Sequence, residues 1–173
     1  MSQIFFISDT HFGHQGMCQF IREDGSKVRP FLTCNECDDF MIANWNKIVR
    51  PQDKIYHLGD VAIKRQYIST LEKLNGEKIL IRGNHDIFKL NDYAKYFKDI
   101  RGTHKIDKYI MSHYPVHPES IPSWCKNNLH GHLHYKKVLL PNQESDARYI
   151  NLCVECTDYK PVPFESIRSH LDT

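Results

Sequence analysis

The sequence predicts an α/β fold, because short apolar runs alternate with segments of helical periodicity along the chain. Three of the apolar runs end in acidic, amide or histidine side chains next to a glycine. In open α/β sheets, the ligand site lies beyond the carboxyl ends of the strands. We therefore expect these polar segments to converge in space, although they are far apart in sequence.

The first part of the chain predicts a strand, a polar segment and a helix. The apolar run at residues 4–7 is typical of a buried strand. A polar segment follows at residues 14–30 and contains an Asp-Gly turn signal. Residues 33–36 match a capping box, and apolar residues then recur at helical spacing as far as Val49. We expect this helix to end before Pro51.

The middle of the chain repeats the alternation. Residues 54–58 are typical of a second strand that stops at a Gly-Asp pair. Apolar residues between positions 67 and 74 indicate a second amphipathic helix, and Asn75-Gly76 supplies a C-terminal stop. Residues 78–81 predict a third strand, which again ends in a polar cluster.

Two later apolar runs, at residues 109–111 and 149–154, complete the predicted set of strands. The sequence contains no obvious linker, internal repeat or low-complexity tract. Its length of 173 residues is ordinary for one domain and is sufficient to bury a core. We therefore expect a single domain over residues 1–173.

The composition restricts the classes of function. Lys plus Arg number 23 against 21 Asp plus Glu, and this near balance lacks the basic excess of a dedicated nucleic-acid binder. No stretch approaches the roughly 18 apolar residues of a membrane span. Residues 1–3 lead directly into an apolar run, without the charged region and cleavage site of a signal peptide. We expect a cytoplasmic protein that has no membrane partner.

Four of the six cysteines form two Cys-x-x-Cys pairs, Cys34–Cys37 and Cys153–Cys156. Together they could make a four-thiolate zinc site, but the usual separation of such pairs is about 15–20 residues and here it exceeds one hundred. The second pair also overlaps the strand-like run, where positions three apart point to opposite faces. We therefore expect reduced thiols with a structural role.

Five short polar clusters carry the candidate chemistry. A lone Gly-Asp pair or a lone histidine is a weak signal, because such residues are common in turns and on surfaces. A His-x-His pair is stronger, since on a strand both rings point to the same face and can bind an ion together. The clusters are Asp9-Thr-His11, Gly59-Asp60, Gly83-Asn84-His85-Asp86, Ser112-His113 and Gly131-His132-Leu-His134.

In this order the clusters resemble the five signature blocks of the calcineurin-like metallophosphoesterase superfamily: D-x-H, G-D, G-N-H-D/E, H and G-H-x-H. The flanking sequences at residues 8–14 and 79–86 resemble the small members from bacteria and their phages. The resemblance implies a two-sheet β-sandwich core flanked by helices. It also implies an enzyme, a metal-dependent phosphoesterase.

The resemblance implies two divalent metal ions that share one bridging carboxylate, Asp60. An anion between two dications about 3.5–4 Å apart offsets their repulsion. The mixed carboxylate, amide and imidazole ligands suit Mn, Fe or Zn, and the resemblance makes manganese our first choice. The implied ligands of one metal are Asp9, His11, Asp60 and His134, and those of the other are Asp60, Asn84, His113 and His132.

The same resemblance implies catalytic roles for His85 and Asp86. His85 would contact the phosphate and protonate the leaving oxygen, for which an imidazole is suited near neutral pH. Asp86 would orient the loop or His85. A hydroxide that bridges the metals would attack phosphorus in line. His14 could also face the substrate, with Asn84 and His85, although a surface role is equally compatible with its position.

The sequence is compatible with more than one class of substrate and more than one mode of action. Analogy with small uncapped relatives favours phosphodiesters over monoesters. A nuclease that resembles the recombination-repair members, and acts on nucleotides or nucleic acid, would need a basic groove. A non-catalytic scaffold that resembles the retromer subunit would need an apolar surface patch. The loops at 13–29 and 114–128 are the candidates for substrate choice, and Trp124 could either stack on a base or pack.

Overall fold

The computed structural model describes residues 2–169, which form two β-sheets and a few helices. The predicted α/β class is therefore confirmed, and so is the expected core of two sheets flanked by helices. Among the described residues, no helix is long and apolar enough to cross a membrane. The strands are β1 (Ile4–Ile7), β2 (Lys54–His57), β3 (Glu77–Ile81), β4 (Asp99–Arg101), β5 (Thr103–Ile106), β6 (Tyr109–Ser112), β7 (Asn127–His130), β8 (Tyr149–Asn151) and β9 (Val162–Pro163).

Most strands of each sheet are parallel. The first sheet has the order β4-β3-β2-β1-β9, in which β1 to β4 are parallel and β9 is antiparallel to β1. The second sheet has the order β5-β6-β7-β8, in which β6 to β8 are parallel and β5 is antiparallel to β6. The carboxyl ends of the parallel strands therefore lie together on one side of each sheet.

Short helical elements connect the strands. The capping box predicted at the start of α1 (Cys34–Ile48) is present in part, because the Thr33 side chain accepts a hydrogen bond from the Glu36 amide. The Glu36 carboxylate accepts instead from the Leu32 amide. The other α-helices are α2 (Leu90–Tyr93) and α3 (Phe164–Ser169), and the 3-10 helices are Gln15–Cys18, Arg65–Lys73, Pro118–Ser120 and Val154–Cys156.

The two buried cores follow from the alternation of side chains along the strands. Phe5 and Ile7 of β1 pack with α1 through residues such as Trp45. Phe6, between them in sequence, points to the other face and packs with Leu129 of β7 in the core between the two sheets. The first sheet is thus covered on one face by helices and on the other by the second sheet.

Two predicted elements differ from those observed. The second amphipathic helix is a 3-10 helix, Arg65–Lys73, in which apolar residues such as Ile68 and Leu71 are buried three residues apart. This spacing matches the three residues per turn of a 3-10 helix better than the period of an α-helix. The strand expected at residues 149–154 ends at Asn151, whose side chain accepts a hydrogen bond from the Cys153 amide.

Candidate metal centre

The predicted metal ligands all follow parallel strands. Asp9 and His11 follow β1, Asp60 follows β2, and Asn84 follows β3 in the first sheet. His113 follows β6 directly, and the segment that holds His132 and His134 follows β7 in the second sheet. The carboxyl ends of these strands meet at one place, as expected for a ligand site in an α/β protein.

The structure brings six of the seven predicted ligands into two groups. Within each group, one potential ligand atom from every residue lies within 4.8 Å of the others. The first group is Asp9, His11 and His134, and the second is Asp60, His113 and His132. Carboxylate and imidazole donors of this kind are suited to divalent transition metals.

Asp60 lies between the two groups. Its Oδ2 atom is 3.6 Å from His11 Nε2 in the first group and 3.4 Å from His113 Nε2 in the second. Neighbouring imidazoles help to hold the pKa of Asp60 below its usual value, although burial acts in the opposite direction. An ionised carboxylate in this position can contact ions in both groups.

Asn84, the seventh predicted ligand, lies against the second group. Its Oδ1 atom is 2.8 Å from His113 Nε2 and 3.1 Å from His132 Nδ1. The other ring nitrogen of His113, Nδ1, is 2.8 Å from the carbonyl oxygen of Leu58 and donates to it. In the neutral imidazole, Nε2 is then an acceptor that faces the oxygens of Asn84 and Asp60. Such a convergence of acceptors fits a cation.

Unsatisfied polar atoms mark the first group. Asp9 Oδ1 and His11 Nε2 are buried, lie 3.6 Å apart and have no hydrogen-bond partner. Buried polar atoms without partners are rare in folded proteins and call for an explanation. Burial opposes ionisation of Asp9, yet the neighbouring imidazoles of His11, His113 and His134 hold its pKa well below the usual range. A bound cation would supply the missing partner, so these residues also fit a metal ion.

The backbone is unusual at the predicted ligands. Five of the seven have φ between 47° and 70°, in the left-handed region that non-glycine residues seldom occupy. The expected strand geometry of the His-x-His pair is therefore wrong, because both of its histidines lie in this region within a turn after β7. The five are Asp9, His11, Asp60, His132 and His134. Strained backbone of this kind is concentrated at functional sites.

Two motif glycines are required by close packing. Gly59 has φ of 103°, and a Cβ atom at this position would lie 2.6 Å from the backbone nitrogen of Gly83. A Cβ atom at Gly131 would overlap the side chains of Ser8 and Asp9. These glycines let the ligand segments of the two sheets approach each other.

His85 and Asp86 occupy different environments. His85 is exposed, its ring centroid is 5.3 Å from that of His11, and its amide donates to Asp60 Oδ1. Asp86 is 1% exposed, and its carboxylate accepts hydrogen bonds from the amides of Asp60, Val61 and Gly83. Burial raises its pKa. Of the two roles considered for Asp86, orientation of the loop or of His85, these contacts with backbone amides favour orientation of the loop.

The remaining residues singled out in the sequence lie around or away from the centre. His14 is half-buried, and its ring centroid is 5.6 Å from that of His11. Trp124 packs against Lys105, with Nζ 4.4 Å from the ring centroid. Lys105 pairs with Ile110 in the middle of β6, whereas the predicted ligand His113 lies beyond the end of that strand. Trp124 is 51% exposed and contacts Lys105 away from the predicted ligands, so its role stays a prediction.

The structure also places near the centre three residues that lie outside the five sequence motifs. Tyr114 is 50% exposed, and its ring centroid is 4.4 Å from that of His132. Arg29 and Glu155 form a buried ion pair, with Arg29 Nε 2.8 Å from Glu155 Oε1. Tyr114 directly follows the motif histidine His113 and is the first residue of the candidate loop 114–128. Arg29 and Glu155 are 126 residues apart and carry no local signal.

The cysteines remain free thiols in the described structure. Among residues 2–169, the groups able to hold a metal ion contain no cysteine. Cys153 is buried and Cys156 exposed, and Val154–Cys156 form a 3-10 helix rather than part of a strand. Ordinary thiols therefore describe these residues better than a four-thiolate zinc site.

The fold places two groups of carboxylate and imidazole ligands at the ends of parallel strands. These features are those of a metal-binding α/β protein of the phosphoesterase type. The chain belongs to the calcineurin-like phosphoesterase family, whose family model matches residues 2–136. The resemblance found in the sequence is therefore confirmed. Family membership and the two ligand groups support metal-dependent hydrolysis of phosphate esters in general, with two divalent metal ions.

Two similar proteins match nearly the whole chain. An uncharacterized protein of Methanocaldococcus jannaschii is 32% identical over 178 residues, which cover 96% of this chain and 90% of the relative. The crystal structure of a protein of unknown function from Aquifex aeolicus has a TM-score of 0.70 and 27% identity, and the match covers 99% of this chain and 100% of the other. These similarities extend beyond residue 136, where the family match ends.

Proposed function

We propose that this protein hydrolyses phosphodiesters with two divalent metal ions, one in each ligand group, and that Asp60 bridges them. The observation that carries the proposal is the position of Asp60 Oδ2, 3.6 Å from His11 Nε2 and 3.4 Å from His113 Nε2. The unsatisfied atoms of Asp9 and His11 support it, since a cation would give them a partner. We propose manganese as the native metal, with iron and zinc as the alternatives.

The chain's own residues then have distinct roles. Metal ions in such a pair polarise the phosphoryl group and lower the pKa of bound water toward neutrality. His85 is exposed beside the first group and is suited to donate a proton to the leaving oxygen. Asp86 accepts hydrogen bonds from the backbone amides of Asp60 and Gly83. It thereby orients the loop that begins at Gly83 and contains His85. We propose that His14, whose ring centroid is 5.6 Å from that of His11, and the exposed Asn84 also contact the substrate.

The contacts that nearby arginines make support a phosphodiester substrate over a monoester. A monoester carries an additional negative charge, which further cationic side chains would stabilise. Arg29 and Arg82 both contact the ligand segments, but they bind protein groups instead of facing the substrate side. Arg29 binds Glu155, and Arg82 donates to the carbonyl oxygens of Asp86 and Phe88. The singly charged diester therefore matches these residues better.

Two basic pairs in the sequence, Lys64-Arg65 and Lys136-Lys137, do not favour a nuclease. Arg65 is paired with Asp92, and Lys136 Nζ is 2.8 Å from a carboxylate oxygen of Glu23. These acidic partners offset the positive charge that would attract a polyanion. The net charge of +2 for the whole chain agrees with this interpretation.

A substrate comparison tests the proposal. Metal-free protein is supplemented with Mn²⁺ and assayed against bis-nitrophenyl phosphate, nitrophenyl phosphate, cyclic nucleotides and short oligonucleotides. We expect the highest kcat/KM for the diesters. Preference for nitrophenyl phosphate would indicate a phosphatase, and cleavage of oligonucleotides alone would indicate a nuclease. Metal uptake without turnover of any of these substrates would favour the scaffold. Parallel assays with Fe²⁺ and Zn²⁺ test the choice of metal.

A further inference from the structure

The segment Cys153–Cys156 contacts the first ligand group, although it lies outside the residues matched by the family model. Cys153 Sγ is 3.2 Å from Asp9 Oδ2 and donates to it. Cys156 Sγ is 3.1 Å from the carbonyl oxygen of His134 and donates to it. Between these cysteines, Glu155 Oε1 is 3.3 Å from His134 Nδ1. One short segment thus contacts two of the three residues of this group.

The carboxylate of Glu155 is buried and held by Arg29. The side chain of Glu155 has no exposed surface, and that of Arg29 is 2% exposed. Arg29 donates from Nε to Glu155 Oε1, at 2.8 Å. Its other nitrogens donate to the carbonyl oxygens of Asp9 and Thr10, at 2.6 and 2.8 Å. Arg29 therefore connects the backbone of one predicted ligand segment to the carboxylate that faces another.

The contact between Glu155 and His134 selects a tautomer of the imidazole. A carboxylate is an acceptor, so Nδ1 carries the hydrogen in this contact. The lone pair of Nε2 is then available, and Nε2 is 4.0 Å from Asp9 Oδ1 in the same group. Metal-binding histidines commonly donate their other N–H to a carboxylate, which fixes the orientation of the ring and strengthens the ligand.

We propose that Glu155, held by Arg29, is a positioning residue for the metal site formed by Asp9, His11 and His134. This inference rests on the proposed dinuclear centre. Glu155 acts through the ring of His134 and the backbone of Asp9. The second group has a different support, because His113 donates to a backbone carbonyl. Loss of Glu155 should therefore weaken one metal site and spare the other.

The test compares metal binding by wild-type protein, Glu155→Gln and Glu155→Asp. Glu155→Gln keeps the shape of the side chain but removes its charge, whereas Glu155→Asp keeps the charge but shortens the side chain, so that one oxygen no longer reaches both Arg29 and His134. The exposed Glu119 provides a matched control, Glu119→Gln. Isothermal titration of the metal-free proteins with Mn²⁺ gives the stoichiometry and affinity, and electron paramagnetic resonance distinguishes a coupled pair from an isolated ion. Far-UV circular dichroism identifies any variant that fails to fold.

We expect two Mn²⁺ ions and a coupled signal for the wild type and for Glu119→Gln. In both Glu155 variants, one site should weaken roughly 10–100-fold, and the signal of an isolated ion should appear at limiting metal. Two sites of unchanged affinity in a folded Glu155 variant would overturn the inference alone. If Glu155→Gln does not fold, Glu155→Asp decides between these results. Wild-type protein that binds no Mn²⁺ would overturn the proposed function and the inference with it.

Discussion

The carboxylate of Asp86 accepts a hydrogen bond from the backbone amide of Asp60, with 2.8 Å between Oδ2 and the nitrogen. Asp60 has φ of 58° at this point, and its side chain faces the two ligand groups. A second, buried carboxylate thus stabilises the backbone conformation of the proposed bridging residue. The two aspartates follow different strands, so this contact also links two of the sequence motifs.

Asp60→Asn should weaken metal binding and nearly abolish turnover. The amide is neutral and cannot offset the repulsion between two dications as a carboxylate does. Because metal ions contribute several kcal/mol of charge stabilisation, we expect kcat to fall at least about 100-fold. Metal content and hydrolysis of bis-nitrophenyl phosphate measure the effect. Asp92→Asn, which neutralises the carboxylate paired with Arg65, is the control. Undiminished activity of Asp60→Asn would exclude the bridging role.

Asp86→Asn should destabilise the protein, although Asp86 is not one of the proposed metal ligands. The two carboxylate oxygens accept three backbone hydrogen bonds, whereas an asparagine has one acceptor oxygen and places an NH₂ group against a donor. We expect a loss of about 1–3 kcal/mol in the free energy of unfolding. Urea unfolding of the metal-free protein measures it. A variant as stable as the wild type would show that these hydrogen bonds are dispensable.

His85→Ala should keep both metal ions while hydrolysis slows. General acid catalysis contributes roughly 10²–10⁴-fold when the leaving group needs a proton. Substrates with alkoxide leaving groups should therefore slow most, and nitrophenyl esters least. Kinetics over a series of leaving groups give the dependence, with metal content measured in parallel. The same slowing for good and poor leaving groups would argue against proton donation by His85.

His57 should make stability dependent on pH. Burial lowers its pKa to about 3, whereas the unfolded chain has the ordinary value of about 6.5. Between these values the unfolded state binds a proton that the folded state does not, so stability is highest above pH 6.5 and falls as the pH drops toward 3. The slope approaches about 1.4 kcal/mol per pH unit for one proton.

The variant His57→Gln removes this titration and keeps the side chain polar. Urea unfolding at several pH values, with a chelator present to remove metal ions, should show a shallower loss of stability for the variant than for the wild type. Comparison of the two slopes cancels the contribution of the other histidines. Equal slopes for the two proteins would mean that the pKa of His57 is the same in the folded and unfolded states.

Local sequence patterns were sufficient to predict the strands that carry the first ligands. The runs at residues 4–7, 54–58 and 78–81 correspond to β1, β2 and β3, because each is apolar and bounded by polar residues or glycine. Their parallel arrangement explains why the polar residues at their ends converge. The prediction of two metal sites depended on the family resemblance as well, since no cluster alone is specific.

Other features could not be predicted because their causes are not local. The strand β7 begins with two asparagines that are buried by tertiary contacts, one of which binds the carbonyl oxygen of Ile110. The ion pair of Arg29 and Glu155 joins residues 126 positions apart. The turn that contains His132 and His134 resembles a strand in sequence, but both residues have positive φ.

The positive φ values at the proposed ligands affect the comparison of substitutions there. Glycine adopts this backbone conformation without steric conflict, while alanine retains the conflict of its Cβ with the backbone. At His132, where φ is 70°, both substitutions delete the imidazole, but only glycine relieves the local conformational energy, about 1 kcal/mol. The metal-free chain would thus be easier to fold with glycine in such positions. The proposed metal site is thus built on a backbone conformation that costs folding stability.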